Sequence, residues 1–147
     1  MILLDTNVLI YASEPLGDYR DWSRETIATA VAGEGAAINA VTLAELCVGD
    51  REPHTLADRI RSWGVGVLDL PVALAPVCAL AYVDYLRHRK ATAAKRIGRV
   101  PLPDFFIGAH AQVMGWVLAT ADEGRFRTYF PEVELLTPRN GRGPHCS

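Results

Sequence analysis

The sequence predicts an α/β protein, a three-layer α/β/α sandwich around a mostly parallel central sheet. Three observations lead there. Short apolar runs alternate with longer stretches of helical period, the pattern of strands joined by crossover helices. The runs are apolar throughout rather than at alternate positions, as strands covered on both faces require. Polar or acidic residues follow several runs directly, Asp5 after the first among them. That places them at the edge where open α/β sheets carry their chemistry.

A chain of 147 residues, half of them apolar and 22% charged, suits one domain with a substantial core. The net charge of -2 gives no global field for nucleic acid, although a local basic patch stays compatible with it. No apolar run approaches the ~18 residues of a membrane span, and the N-terminus lacks the pattern of a signal peptide. Cys47, Cys78 and Cys146 are odd in number and widely spaced. They suggest neither a disulfide framework nor a metal knuckle, and a reducing, cytoplasmic location is the expectation.

The first strand is Met1-Ile2-Leu3-Leu4, running into Asp5-Thr6-Asn7. A carboxylate beside a buried strand is costly to desolvate unless paired. Asp5 either caps the next helix or faces a cation. Residues 18–32 have helical spacing through Trp22, Thr26, Ile27, Ala30 and Val31, and Gly33-Glu34-Gly35 ends the helix. Residues 36–40 form a second strand. Thr42 is the expected cap of the following helix, with Glu45 in its first turn as a capping-box partner. Pro53 suits the first turn of a helix running to about Ser62, with Leu56, Ile60 and Trp63 as its apolar stripe.

Residues 65–70 are a third strand, closed by Pro71, and helical spacing resumes from Val72 to about Arg96. The far end of that stretch carries Arg87, Arg89, Lys90, Lys95, Arg96 and Arg99. These are either a solvated face or a surface for a polyanion such as RNA. Asp104 opens a further helix, whose small residues Gly108, Ala109 and Ala111 would let it approach the sheet closely. Residues 116–119 are a fourth strand, followed by Thr120-Ala121-Asp122. Phe126, Tyr129 and Phe130 anchor the crossing to a last strand over 133–136. The domain is placed at 1–138, and 139–147 is expected to be a frayed tail.

Asp5, Glu45, Asp104 and Asp122 therefore share one address, the carboxyl edge of the sheet. A pair of carboxylates ~4 Å apart repels by about 4 kcal/mol at an effective dielectric of ~20, and a hard divalent cation relieves that. One or two such ions can activate a water and stabilise a phosphodiester's developing charge. Glu45 as a capping residue, Asp104 as a helix N-terminal acid and Asp122 as a turn residue are the plainer readings. The histidines show no HExxH spacing, and His110 is expected to pack or to hydrogen-bond. The glycines form no dinucleotide or phosphate loop, so no nucleotide cofactor is expected.

The local contexts of the four acids resemble the PIN-domain nucleases, and within them the VapC-type toxin ribonucleases of toxin–antitoxin pairs. The residues that carry this are Leu4-Asp5-Thr6-Asn7-Val8-Leu9, 39–46 (NAVTLAEL), 102–111 (LPDFFIGAHA) and 118–126 (LATADEGRF). The resemblance implies an acid cluster of Asp5, Glu45, Asp104 and Asp122 that binds Mg²⁺ or Mn²⁺ for endonucleolytic RNA cleavage. It gives Thr6 and Asn7 supporting roles, and lets Thr120 position the last acid or a water. It also implies a homodimer and a small antitoxin lying over the acidic groove, with DNA contacted only through that antitoxin. Many relatives carry a basic residue immediately before the last acid, where this chain has Ala121. Arg125 is either a phosphate contact or a surface salt bridge. Two rival readings are an Asp5-nucleophile phosphatase, which would want a second acid where Asn7 stands, and a catalytically silent interaction module.

Overall fold

A computed structural model of the chain describes residues 1–91 and 102–139. Five parallel strands form the sheet: β1 (Ile2–Leu4), β2 (Ala36–Asn39), β3 (Val65–Leu68), β4 (Val117–Ala119) and β5 (Leu135–Leu136), in the order β3-β2-β1-β4-β5. Ile2 faces Ala36 on one side and Val117 on the other, and Leu4 faces Ala119. The helices are α1 (Thr6–Ser13), α2 (Arg20–Ala32), α3 (Ala40–Val48), α4 (Pro53–Ser62), α5 (Leu74–Ala91), α6 (Leu102–Met114) and α7 (Gly124–Tyr129). None of them is long and apolar enough to cross a membrane.

Side chains of a strand alternate between faces, and β1 divides the core accordingly. Ile2 and Leu4 join Val8, Leu9, Ile38, Leu56 and Ile60 beneath α1 to α4. Leu3 joins Phe105, Ile107, Leu118, Phe126 and Phe130 beneath α5 to α7. Both faces of β1 are thus covered, which is why its run is apolar without alternation. The chain order reverses direction across the sheet at β1, whose neighbours are β2 and β4. In parallel sheets a crevice opens at the carboxyl ends of such strands.

Several local expectations change. Asn39, not Thr42, caps α3: its Oδ1 accepts from Val41 N at 3.0 Å and Thr42 N at 3.1 Å. Glu45 accordingly lies in the second turn, outside capping-box range, and is exposed. Trp63 is 52% exposed rather than part of the α4 stripe, because the helix ends at Ser62. β3 and β5 are shorter than the apolar runs that mark them. Lys95, Arg96, Arg99 and the expected tail beyond Arg139 lie outside the described residues.

Asn39 carries a second task. It is fully buried, and its Nδ2 lies 3.2 Å from His110 Nδ1 on α6. Because Oδ1 is engaged by two backbone amides, Nδ2 is the donor and Nδ1 the acceptor. His110 is thereby neutral, and its burial pushes its pKa down in the same direction. Asn39→Ala removes a helix cap and orphans a buried ring nitrogen. A loss of about 2 kcal/mol is expected, read as a lower midpoint in urea with an unchanged slope.

Candidate active site

Asp5 is the single residue between β1 and α1. Its extended backbone, φ -68° and ψ 153°, lets it cap α1. Its N–H donates to Ala119 O on β4 at 2.9 Å, so the strand ladder itself fixes it. The side chain is 4% exposed. One carboxylate oxygen accepts from Thr6 N at 2.8 Å and the other from the Thr120 hydroxyl, also at 2.8 Å. The capping role and the functional address therefore coincide on one side chain.

The other acids gather around it unequally. Glu45 Oε1 accepts from Thr6 Oγ1 at 2.7 Å, which ties α3 to the start of α1. Asp104, in the first turn of α6, forms an ion pair with Arg125 of α7. Asp122 is exposed in the turn after β4, where its N–H donates to Thr120 Oγ1 at 3.0 Å. Asn7 bridges the same turn: Nδ2 donates to Thr120 Oγ1 at 3.4 Å, and Oδ1 accepts from Ala121 N at 3.3 Å. Thr120 Oγ1 thus meets both the Asp5 carboxylate and the backbone of Asp122.

Electrostatics record the crowding. Burial pushes the Asp5 carboxyl from 3.8 up to about 7, and the negative charges of Asp104 and Glu45 add to that, against the hydrogen bonds from Thr120 and Thr6. Burial also raises Asp104, with Asp122 adding to the rise, despite the Arg125 guanidinium beside it. Asp5 thus feels Glu45 and Asp104, and Asp104 feels Asp122. Among the described residues, however, no three acidic, histidine or cysteine side chains are drawn closely enough together to hold one metal ion. The donor chemistry suits a hard cation, since every candidate ligand is a carboxylate oxygen. The one ion pair that any of the four makes among the described residues is that of Asp104.

Residues 2–131 match the model of the PIN domain. The chain belongs to the PIN-domain family. Its fold is also similar to those of several solved structures. VapBC2 from Rickettsia felis, bound to a DNA fragment from their promoter, matches at 22% identity and a TM-score of 0.61 over 93% of this chain and 98% of the other. FitAcB from Neisseria gonorrhoeae matches at 23% identity and a TM-score of 0.60 over 92% and 96%. DNA-bound VapBC from Salmonella typhimurium matches at 22% identity and a TM-score of 0.61 over 92% and 96%. Comparison with curated proteins gives no match.

Two contributors to this candidate site have weak signals in the sequence. Asn39 was legible only as the polar end of a strand, although an Asn immediately before a helix is a recognisable cap. Tyr85 of α5, whose ring centroid lies 6.0 Å from the Arg125 guanidinium carbon, reads as one more core aromatic in a helical stripe. Arg89 and Lys90 lie in the last turn of α5, where basic residues complement the helix dipole, and Arg87 stands just before it. The neighbouring His88 ring meets Tyr129 of α7 at 5.7 Å.

Proposed function

We propose that this PIN-domain protein is a divalent-metal-dependent endoribonuclease that hydrolyses RNA phosphodiester bonds as the toxin of a toxin–antitoxin pair. The observation that carries the reading is Asp5. Its carboxylate is buried with both oxygens fixed by hydrogen bonds, and it has Glu45 and Asp104 as charged neighbours, so a divalent cation bound there would offset that negative charge. Asp5, Glu45, Asp104 and Asp122 would hold Mg²⁺ or Mn²⁺ through oxygen. When bound, such an ion supplies positive charge that activates water and offsets the charge developing on the phosphodiester.

The chain's own residues perform the rest. Thr6 N–H and Thr120 Oγ1–H fix both oxygens of Asp5, so its orientation is set before any ligand arrives. Thr6 Oγ1–H does the same for Glu45. Asn7 locks the turn that carries Asp122. Asn7 is engaged by Thr120 and Ala121 and has no proton to give as a general acid, which disfavours the phosphatase reading. Single-stranded RNA, whose backbone can enter a narrow groove, is the favoured substrate. A homodimer and a small antitoxin are proposed by likeness to the VapBC and FitAcB complexes.

That no three of these side chains are close enough, among the described residues, to hold one ion favours one second reading, an interaction module without catalysis. Sequencing the ends of RNA incubated with the purified protein separates the two. New ends that require Mg²⁺ or Mn²⁺ and vanish in EDTA support the nuclease. Intact RNA across a titration of both ions refutes it.

A further inference from the structure

Arg125 is the cation paired with one of the four acids among the described residues, and its setting suits exchange rather than permanence. Its root is firm: α7 is anchored by buried Phe126, and Phe130 closes the helix at 1% exposure. Its head is not. The guanidinium reaches Asp104 Oδ2 across the top of the sheet, with 34% of the Arg125 side chain and 31% of the Asp104 side chain exposed. Half-exposed ion pairs are weak and readily replaced. The Tyr85 ring beneath offers the guanidinium a second surface, at 6.0 Å from its centroid.

Asp104 cannot serve Arg125 and a divalent ion equally. A cation at Asp104 would stand beside the guanidinium and repel it, while a phosphate entering the site would attract it. A guanidinium has five donors in a planar fork that matches phosphate oxygens. Arg125 lies three residues after Asp122, so a small swing keeps it at the acid edge.

We propose that Arg125 is a substrate-binding residue that neutralises Asp104 until a divalent cation displaces it, and then binds a phosphate of the RNA strand. This rests on the nuclease reading above. Its signature is opposite signs in two binding measurements. Removing Arg125 frees Asp104 for the ion yet deprives the RNA of a contact, whereas a salt bridge without a substrate role would leave the oligonucleotide affinity unchanged.

The test measures Mn²⁺ binding by calorimetry on the wild type, Arg125→Ala and Arg125→Gln, with thermal melts to confirm folding. It then measures binding of a single-stranded 2′-O-methyl RNA 12-mer, which resists cleavage, in Mn²⁺. Both variants are expected to bind Mn²⁺ about two- to fivefold more tightly. They are expected to bind the oligonucleotide roughly tenfold more weakly, with a salt slope shallower by about 0.7. Unchanged or weaker Mn²⁺ binding in a folded variant, or unchanged oligonucleotide binding, overturns the exchange and leaves the nuclease reading standing. A wild type that binds no Mn²⁺ overturns both.

Discussion

Asp5→Asn is expected to lower RNA cleavage by at least about a thousandfold, the scale at which a central electrostatic group in an active site acts, while making the metal-free protein more stable at pH 8. The two effects have one origin. The Asp5 carboxyl stands at about 7 in the fold against an ordinary 3.8, chiefly through burial. A carboxyl whose folded value is raised stabilises the fold fully below about pH 4 and loses that contribution as pH climbs through about 7. The Asn side chain does not titrate, so the variant's advantage in EDTA should be absent near pH 4, grow between pH 4 and 7, and level off above. A gap of this size amounts to about 4 kcal/mol.

The substitution is also nearly isosteric. The Asn oxygen can keep the bond from Thr6 N, and the Thr120 hydroxyl can turn to Asp122 O, 3.2 Å away, and receive the new amide in place of the long 3.4 Å bond from Asn7 Nδ2. Added Mg²⁺ should reverse the order of stability, because binding to the native state favours the protein that binds more tightly. Melting curves of both proteins at pH 4, 6 and 8, with and without Mg²⁺, decide the matter. A wild type more stable than the variant at pH 8 in EDTA would refute the charge argument. Undiminished metal-dependent cleavage by the variant would refute the assignment of Asp5.

The strands and the acid edge were legible because they depend on short-range patterns. An apolar run ending in Asp5 states both a two-sided strand and its carboxyl end, and Asp122 stands in the turn three residues after β4. The register of β1 against β4, with Leu4 opposite Ala119, then brings Asp5 and Thr120 together without further information. What spacing could not give was which hydroxyl serves which acid. Thr42 and Asn39 both suit a cap, and the end of β2 decides for Asn39. Thr120 is two residues from Asp122 in sequence, but its hydroxyl donates to Asp5, 115 positions away. Arg125 was equally ambiguous, since a salt bridge and a phosphate contact draw on the same guanidinium. Its placement on Asp104 depends on how α7 packs against α5 and α6, a tertiary matter that no local pattern encodes.

That packing yields the second large effect. Gly108→Val is expected to destabilise the protein by about 3 kcal/mol or more, at the upper end for overpacked cores. The small-residue stretch of α6 was read as allowing a close approach to the sheet. Ala109 and Ala111 are indeed fully buried in the core against Leu3 and Leu118. Gly108, however, faces α7: a Cβ there would stand 2.5 Å from Phe130 Cε2 and 2.9 Å from Cγ, with Cδ2 also in collision. Phe130 cannot yield easily. It is 1% exposed, its N–H is held by Phe126 O at 2.9 Å, and its ring meets Phe105 at 5.8 Å.

Gly108→Ala should show the same sign at smaller size, because better helix propensity returns up to about 1 kcal/mol. Phe130→Leu, which vacates ring space, should partly rescue either variant in a double-mutant cycle. The functional consequence follows from connectivity, since α7 carries Arg125 and any shift of Phe130 moves the guanidinium relative to Asp104. Folded Gly108→Ala protein is therefore expected to show altered Mn²⁺ affinity as well as a lower melting temperature. A melting temperature equal to or above that of the wild type would mean the pocket against Phe130 is not filled as described.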